Sequence, residues 1–186
     1  NIRKLSTKGL TDDRASSLWD SISLTSAQDD VIKAFHIIEP KITGLSFVAA
    51  DNESNDRLPI IKLSDMPEPI PLKSLGDGMT RLFHIILSLV TAKDGVLLID
   101  EFENGLHWST QTKAWELIFI LAKQWSVQVF CTTHSKDCIN SFEDVWTQNP
   151  EEAAFFRLYR KENQSHIKAY DLEMLSDAIE TETEVR

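Results

Sequence analysis

A chain of 186 residues with 42% hydrophobic side chains has the size and composition of one globular unit around a single core. Its formal charge of −10 offers no general attraction to a phosphate backbone, so direct nucleic-acid binding by this segment is not expected. No apolar run approaches the roughly 20 residues that cross a bilayer, no signal peptide opens the chain, and two cysteines make no disulfide framework; the expected setting is the cytoplasm, away from membranes.

The opening stretch to Gly9 shows no clear periodicity and begins with Asn1, which gives it the look of a cut end. From Thr11, the text TDDRASSLWDSISL predicts a short helix with Thr11 as cap and acids in the first turn. A second helix is predicted over SAQDDVIKAFHIIEP, capped by Ser26, with Val31, Ala34, Phe35 and Ile38 on one face and Pro40 ending it. His36 reads as a boundary residue there. Ile42 to Ala49 and Arg57 to Leu63 read as an antiparallel pair across the polar turn DNESND. Pro67, Pro69 and Pro71 then force an extended connection. A helix follows from Asp77 or Gly78 to about Thr91, with Leu82, Phe83, Ile86, Leu89 and Val90 on its apolar face. Gly76 and Gly78 therefore sit at a helix N-terminus, where free N–H groups and the dipole favour an anion.

Val96, Leu97, Leu98 and Ile99 suit a strand buried on both faces, and Asp100 and Glu101 arrive where it ends. These acids admit two readings, a loop cap beside a solvated carboxylate, or one acid serving a Mg²⁺ shell while the other faces a water. Further on, a cap at Ser109 opens a long helix through about Gln124, with Trp115, Ile118, Phe119 and Ala122 inward. A second buried strand, Val127 to Thr132, delivers Thr133, His134 and Ser135 to the edge that carries Asp100 and Glu101. Ser135 caps a helix over Cys138 to Phe142. Cys131 and Cys138 flank His134, but their spacing fits no usual zinc pattern. AAFFRLYRK pairs with HIKAY as a hairpin across ENQS, followed by a helix capped by Asp171 and an acidic tail. The five tryptophans read as core or boundary residues, since no basic residues interleave with them.

Three segments change the balance for the acid pair. SLGDGMTR (Ser74 to Arg81), IDEFENGLH (Ile99 to His107) and VQVFCTTHS (Val127 to Ser135) stand in the order signature loop, Walker B with a following glutamate, and switch histidine. This conjunction resembles the second half of an ABC-type ATPase head over about Pro71 to Phe142, and is most similar to the soluble OLD-like and Septu- or PARIS-type ATPases of bacterial antiphage defence, which are paired with nucleases. The resemblance implies an α/β, P-loop NTPase-like C-terminal lobe with parallel core strands, helices on both faces and a terminal β-hairpin. It implies ATP and Mg²⁺ as ligands. Asp100 would hold Mg²⁺ through water, Glu101 would polarise the attacking water, and His134 would contact the γ-phosphate side. Glu103, Asn104, Gly105 and His107 would form the D-loop against a partner head. Ser74, Gly76, Asp77, Gly78 and Arg81 would reach across to the partner's ATP.

Two departures qualify it. Gly76 stands where the family usually has serine, so a γ-phosphate hydroxyl contact falls to Ser74 or Thr80, and turnover is expected to be slow; the alternative is a non-hydrolysing ATP-sensing switch or assembly scaffold. The six glycines never supply the G-x-x-x-x-G-K-[ST] of a phosphate cradle. Residues 1–186 are therefore expected to be one partial ATPase domain, inactive alone, without a fused TOPRIM nuclease. Its expected partners are an N-terminal Walker A lobe before Asn1, a second ATPase head in a homodimer or higher assembly, and an effector protein such as a nuclease.

Overall fold

The protein is described here by a computed structural model covering residues 1–50 and 56–185. Most of the turn expected at DNESND falls on residues 51–55 and lies outside the described residues. The stretch without periodicity is in fact a strand, β1 (Ile2–Leu5), whose two cations conceal its alternation. Helix α1 (Asp12–Ile22) starts as expected, with the Thr11 hydroxyl accepting the Arg14 N–H. Helix α2 (Ser26–Ile38) is entered from an extended Thr25, so Ser26 is its first residue and not its cap. The antiparallel strands β2 (Ile42–Ala49) and β3 (Arg57–Leu63) have the expected bounds, and β4 (Ile70–Pro71) adds to β3 before a 3₁₀ turn, Leu72–Leu75.

Helix α3 (Asp77–Val90) follows, and all of its residues from Arg81 to Val90 are buried. A helix apolar all round belongs in the middle of a fold. Phe83 packs within 5.9 to 6.4 Å of the rings of Phe35, Phe47 and Trp19, which gathers α1, α2 and β2 onto it. Next come β5 (Val96–Ile99), α4 (Trp108–Gln124), β6 (Gln128–Cys131) and α5 (Lys136–Gln148). The chain ends in the hairpin β7 (Phe155–Lys161) and β8 (Gln164–Tyr170) and helix α6 (Leu172–Glu180), capped by Asp171. The hairpin turns over only Glu162 and Asn163, both at positive φ (49° and 62°), the tight geometry matched to strand twist. Ile139, Trp146, Tyr170, Leu175, Ala178 and Val185 form a second, smaller core that seats this tail on α5.

The sheet that carries the acids has the order β1-β5-β6, all parallel. Register sets Leu5, Ile99 and Cys131 side by side on the face that packs inward, and Lys4, Leu98 and Phe130 side by side on the other. That second face is open: Ile2, Leu98 and Phe130 are 72%, 38% and 51% exposed. The strand at Val96–Ile99 is thus buried on one face only. Strand β6, expected to be buried, is an edge whose exposure alternates.

His84 illustrates the density at the centre. Its Nδ1 accepts the Leu10 N–H at 3.2 Å, and burial, reinforced by the Arg81 charge, lowers its pKa from 6.5 to about 4. A base with a depressed folded pKa binds fewer protons folded than unfolded between those values, so its contribution is complete above 6.5 and is lost as pH falls toward 4. Thermal melts between pH 7 and 4 should show wild type losing about 3 kcal/mol more than His84→Gln over that window.

Candidate nucleotide site

Because β5 and β6 are parallel and in register, the residues after Ile99 and Cys131 emerge at one edge. The strand stops at Ile99, so Asp100 and Glu101 are not separated by strand alternation. They are separated by a turn in which Glu101 adopts φ 46°, a left-handed backbone unusual for a side chain with a Cβ. Thr132, at the end of β6, spans this turn. Its N–H donates to the Ile99 carbonyl (3.0 Å), its carbonyl accepts the Phe102 N–H (3.0 Å), and its Oγ1 accepts the Glu101 N–H (3.0 Å) and donates to Asp100 Oδ1 (2.9 Å). Thr132 opens the TTHS segment, but only His134 of that segment was expected to act; its place two residues before His134 on the neighbouring strand was the available signal.

The loop after the acids is tied down on three sides. Phe102 is fully buried and stacks on Trp115 at 3.9 Å. Glu103 Oε1 accepts the backbone N–H of His134 at 2.9 Å, which joins the expected D-loop to the expected switch segment. Asn104 donates its amide to the Thr7 carbonyl at 2.8 Å. His107 is the cap of α4, its Nδ1 accepting the Ser109 N–H, so the capping role expected of Ser109 belongs to the imidazole. Trp108 beside it is 64% exposed, unlike the core or boundary place expected of the tryptophans. The imidazole of His134 is exposed, and Ser135 caps α5 through the Cys138 N–H.

Of the expected signature loop, Ser74, Gly76 and Asp77 are exposed. Helix α3 has no side-chain cap, which leaves its first N–H groups without a helical partner. Gly76 sits at φ 94° with open space where a Cβ would be, so the backbone, not crowding, disfavours the serine usual there. The Thr80 hydroxyl is turned back onto the Gly76 carbonyl at 3.4 Å, which leaves Ser74 as the exposed hydroxyl of the loop. Gly78 touches the expected D-loop: a Cβ on it would lie 2.9 Å from the Gly105 carbonyl oxygen.

Arg81 departs from the expected phosphate contact. It is 5% exposed, and its Nη1 donates to the Ser6 and Thr7 carbonyls (2.6 and 3.4 Å) while Nη2 donates to those of Asp100 and Glu101 (2.9 and 3.0 Å). Burial lowers its pKa, opposed by the nearby Cys131, Asp100, Glu103 and Glu101. The guanidinium holds the acid-bearing turn to the signature helix from behind.

Among the described residues no group of three His, Cys, Asp or Glu side chains could hold a metal unaided. Asp100 is exposed, with one oxygen engaged by Thr132, a donor set that suits Mg²⁺ retaining water and phosphate oxygens in its shell. Asp100, Thr132 and His134 also line an open groove of about 1140 Å³ that continues over Phe130 to Phe155 and Phe156.

A parallel sheet that delivers paired acids and a histidine to one edge, behind a glycine-led helix, is the fold of an ATPase head of the P-loop NTPase type. It is similar to an SMC ATPase chain studied for ATP-driven dimerization and DNA-stimulated activation (TM-score 0.62, 10% identity, 92% of this chain and 99% of that one). It is also similar to the SMC head domain from Thermotoga maritima (TM-score 0.56, 11% identity, 90% and 53% covered). Residues 18–140 match the family described as "AAA domain, putative AbiEii toxin, Type IV TA system", and the chain belongs to this AAA family. A protein of Helicobacter pylori named ATP/GTP phosphatase is 31% identical over 121 residues, which are 63% of this chain and 31% of that protein, so the chain spans less than a third of its length.

Two substitutions test the packing behind the site. Gly78→Ala, which gains up to about 1 kcal/mol in an unobstructed helix, should here destabilise by about 1 to 3 kcal/mol because the new Cβ meets backbone. Arg81→Lys keeps a charge but cannot serve both carbonyl pairs, and should cost about 3 kcal/mol in urea unfolding.

Proposed function

We propose that this chain is the C-terminal lobe of an ATP-hydrolysing head, a partial domain over residues 1–186 that closes on a second copy around ATP. The carrying observation is the acid pair fixed beyond β5 by Thr132 and Arg81, with the His134 segment tied to the same loop through Glu103. In this reading Asp100 holds Mg²⁺ through water and Glu101 polarises the attacking water. His134 meets the γ-phosphate side. The N–H groups at the start of α3, with Ser74, Gly76, Asp77 and Gly78, meet the nucleotide of the partner head. Asn104, Gly105 and His107 face that partner, while Glu103 and Arg81 hold the loops from within. Phosphoryl transfer depends on positioning and charge stabilisation, so a site completed by two heads suits it.

A phosphate-cradling Walker A lobe is the further partner this reading requires. Two features support its docking on the open side of the sheet. Gln128 and Thr132 turn their N–H groups to β5, so the intervening Val129 and Cys131 present theirs to the strandless edge. Ile2, Leu98 and Phe130 put exposed apolar side chains on the adjoining face, beside Lys4 and Gln128, with nothing among the described residues covering them. The effector is proposed to be a protein such as a nuclease acting in phage defence; the IDEFENGLH and TTHS segments and the toxin system named in the family description support a regulated effector.

One observation favours a second reading, a switch that binds ATP and hardly turns over: Gly76 lacks a hydroxyl and Thr80 spends its own on the loop. Steady-state hydrolysis by the intact protein separates the two. A working ATPase should lose at least about 100-fold in kcat with Glu101→Gln, and this chain alone should show no turnover. Absence of turnover in the intact wild type, with ATP-dependent pairing retained, contradicts the ATPase and favours the switch.

A further inference from the structure

The acid pair is oriented by one side chain of the TTHS segment to which the sequence alone assigned no role. We infer that Thr132 is the positioning residue of the site: its hydroxyl sets which oxygen of Asp100 remains for the metal's water shell, and its lone pair holds Glu101 in the turn that aims the second carboxylate. The inference rests on the proposed roles of Asp100 and Glu101.

The geometry is a relay with a fixed sense. The Glu101 N–H can only donate, so Thr132 Oγ1 accepts from it at 3.0 Å and turns its own hydrogen to Asp100 Oδ1 at 2.9 Å. A carboxylate on a strand end otherwise rotates freely about its last bond. Here Oδ1 is taken, and the remaining oxygen of this exposed group is the one left to a ligand. At Glu101 the backbone stands at φ 46°, a conformation that a residue with a Cβ keeps only when its surroundings fix it. The Thr132 acceptor and the Arg81 donors on both acid carbonyls are those surroundings.

Thr132 is itself held. Its N–H and carbonyl bond to Ile99 and Phe102 on the strand–loop junction that carries the acids, so its hydroxyl cannot drift relative to them. Asp100 and Thr132 line the same groove, which places the hydroxyl beside solvent and the ligand side and not within the core. A valine at this position keeps the shape and the backbone bonds but neither donates nor accepts. It would leave the Glu101 N–H without its partner and release Asp100.

The test uses the intact protein with ATP, and Mn²⁺ as the metal probe read by electron paramagnetic resonance, beside kcat and KM. Outer partners of metal ligands commonly carry 10- to 100-fold effects, so Thr132→Val and Thr132→Ala should each weaken Mn²⁺ binding about tenfold and lower kcat about tenfold, with KM for ATP within about twofold. Thr132→Ser, which keeps the hydroxyl, should restore both to within about threefold of wild type. A purely structural role predicts no metal effect and no rescue specific to serine. Wild-type Mn²⁺ binding and turnover in the Val and Ala variants, with Glu101→Gln inactive and Asp100→Asn weak in metal, overturns the role of Thr132 and leaves that of the acids. Full activity in Glu101→Gln with unchanged Mn²⁺ binding in Asp100→Asn overturns both.

Discussion

The interaction on which the rest depends is the buried guanidinium of Arg81. A charge taken out of water is costly unless its donors find partners, and here four of the five contacts that a guanidinium can make go to backbone carbonyls of Ser6, Thr7, Asp100 and Glu101; only Nε lacks one. Those carbonyls belong to the loop after β1 and the turn after β5, while Arg81 itself sits one turn into α3. A single side chain therefore joins three segments distant in sequence. It also ties α3 directly to the backbone carbonyls of both acids. The contact between Gly78 and the Gly105 carbonyl is a second tie along the same path.

The sheet is finished on one side and bare on the other. Its inward face and the buried helix α3 make the main core, with Leu5, Leu97 and Ile99 closed off from water. Its outward face and the free edge of β6 present apolar side chains and unpaired backbone groups, features that natural sheets normally cover. The hairpin β7–β8 adds Phe156 and Leu158 to the rim of the same groove.

Local signals made much of this legible in the sequence. Strand-like runs on either side of a polar turn marked β2 and β3, the 3.6-residue period marked α3, and a four-residue apolar run marked β5. What was illegible depends on distant partners. β1 carries Arg3 and Lys4 among four residues and is a strand because β5 offers it a parallel partner. The burial of Arg81 follows from carbonyls 19 and 75 positions away, and no helical pattern announces it. Caps moved for a similar reason: the ring nitrogen of His107 does for α4 what Ser109 was expected to do, because the chain enters the helix two residues earlier. For the site, the motifs named the acids, the histidine and the signature glycines. They contained Thr132 without giving it a role, because its contact with the acids appears only when β6 lies beside β5.

The central claim is that the ends of β5 and β6 face the terminal phosphate of ATP. The measurement that tests it most directly is the structure of the intact Glu101→Gln protein with ATP and Mg²⁺. The account predicts the γ-phosphate beyond Ile99 and Cys131, with Asp100 linked to Mg²⁺ through water, the side chain at position 101 facing the γ-phosphorus, and the start of α3 from a second copy closing the site. Nucleotide bound elsewhere, with the Asp100–Thr132 turn facing bulk solvent in the assembled protein, would contradict it.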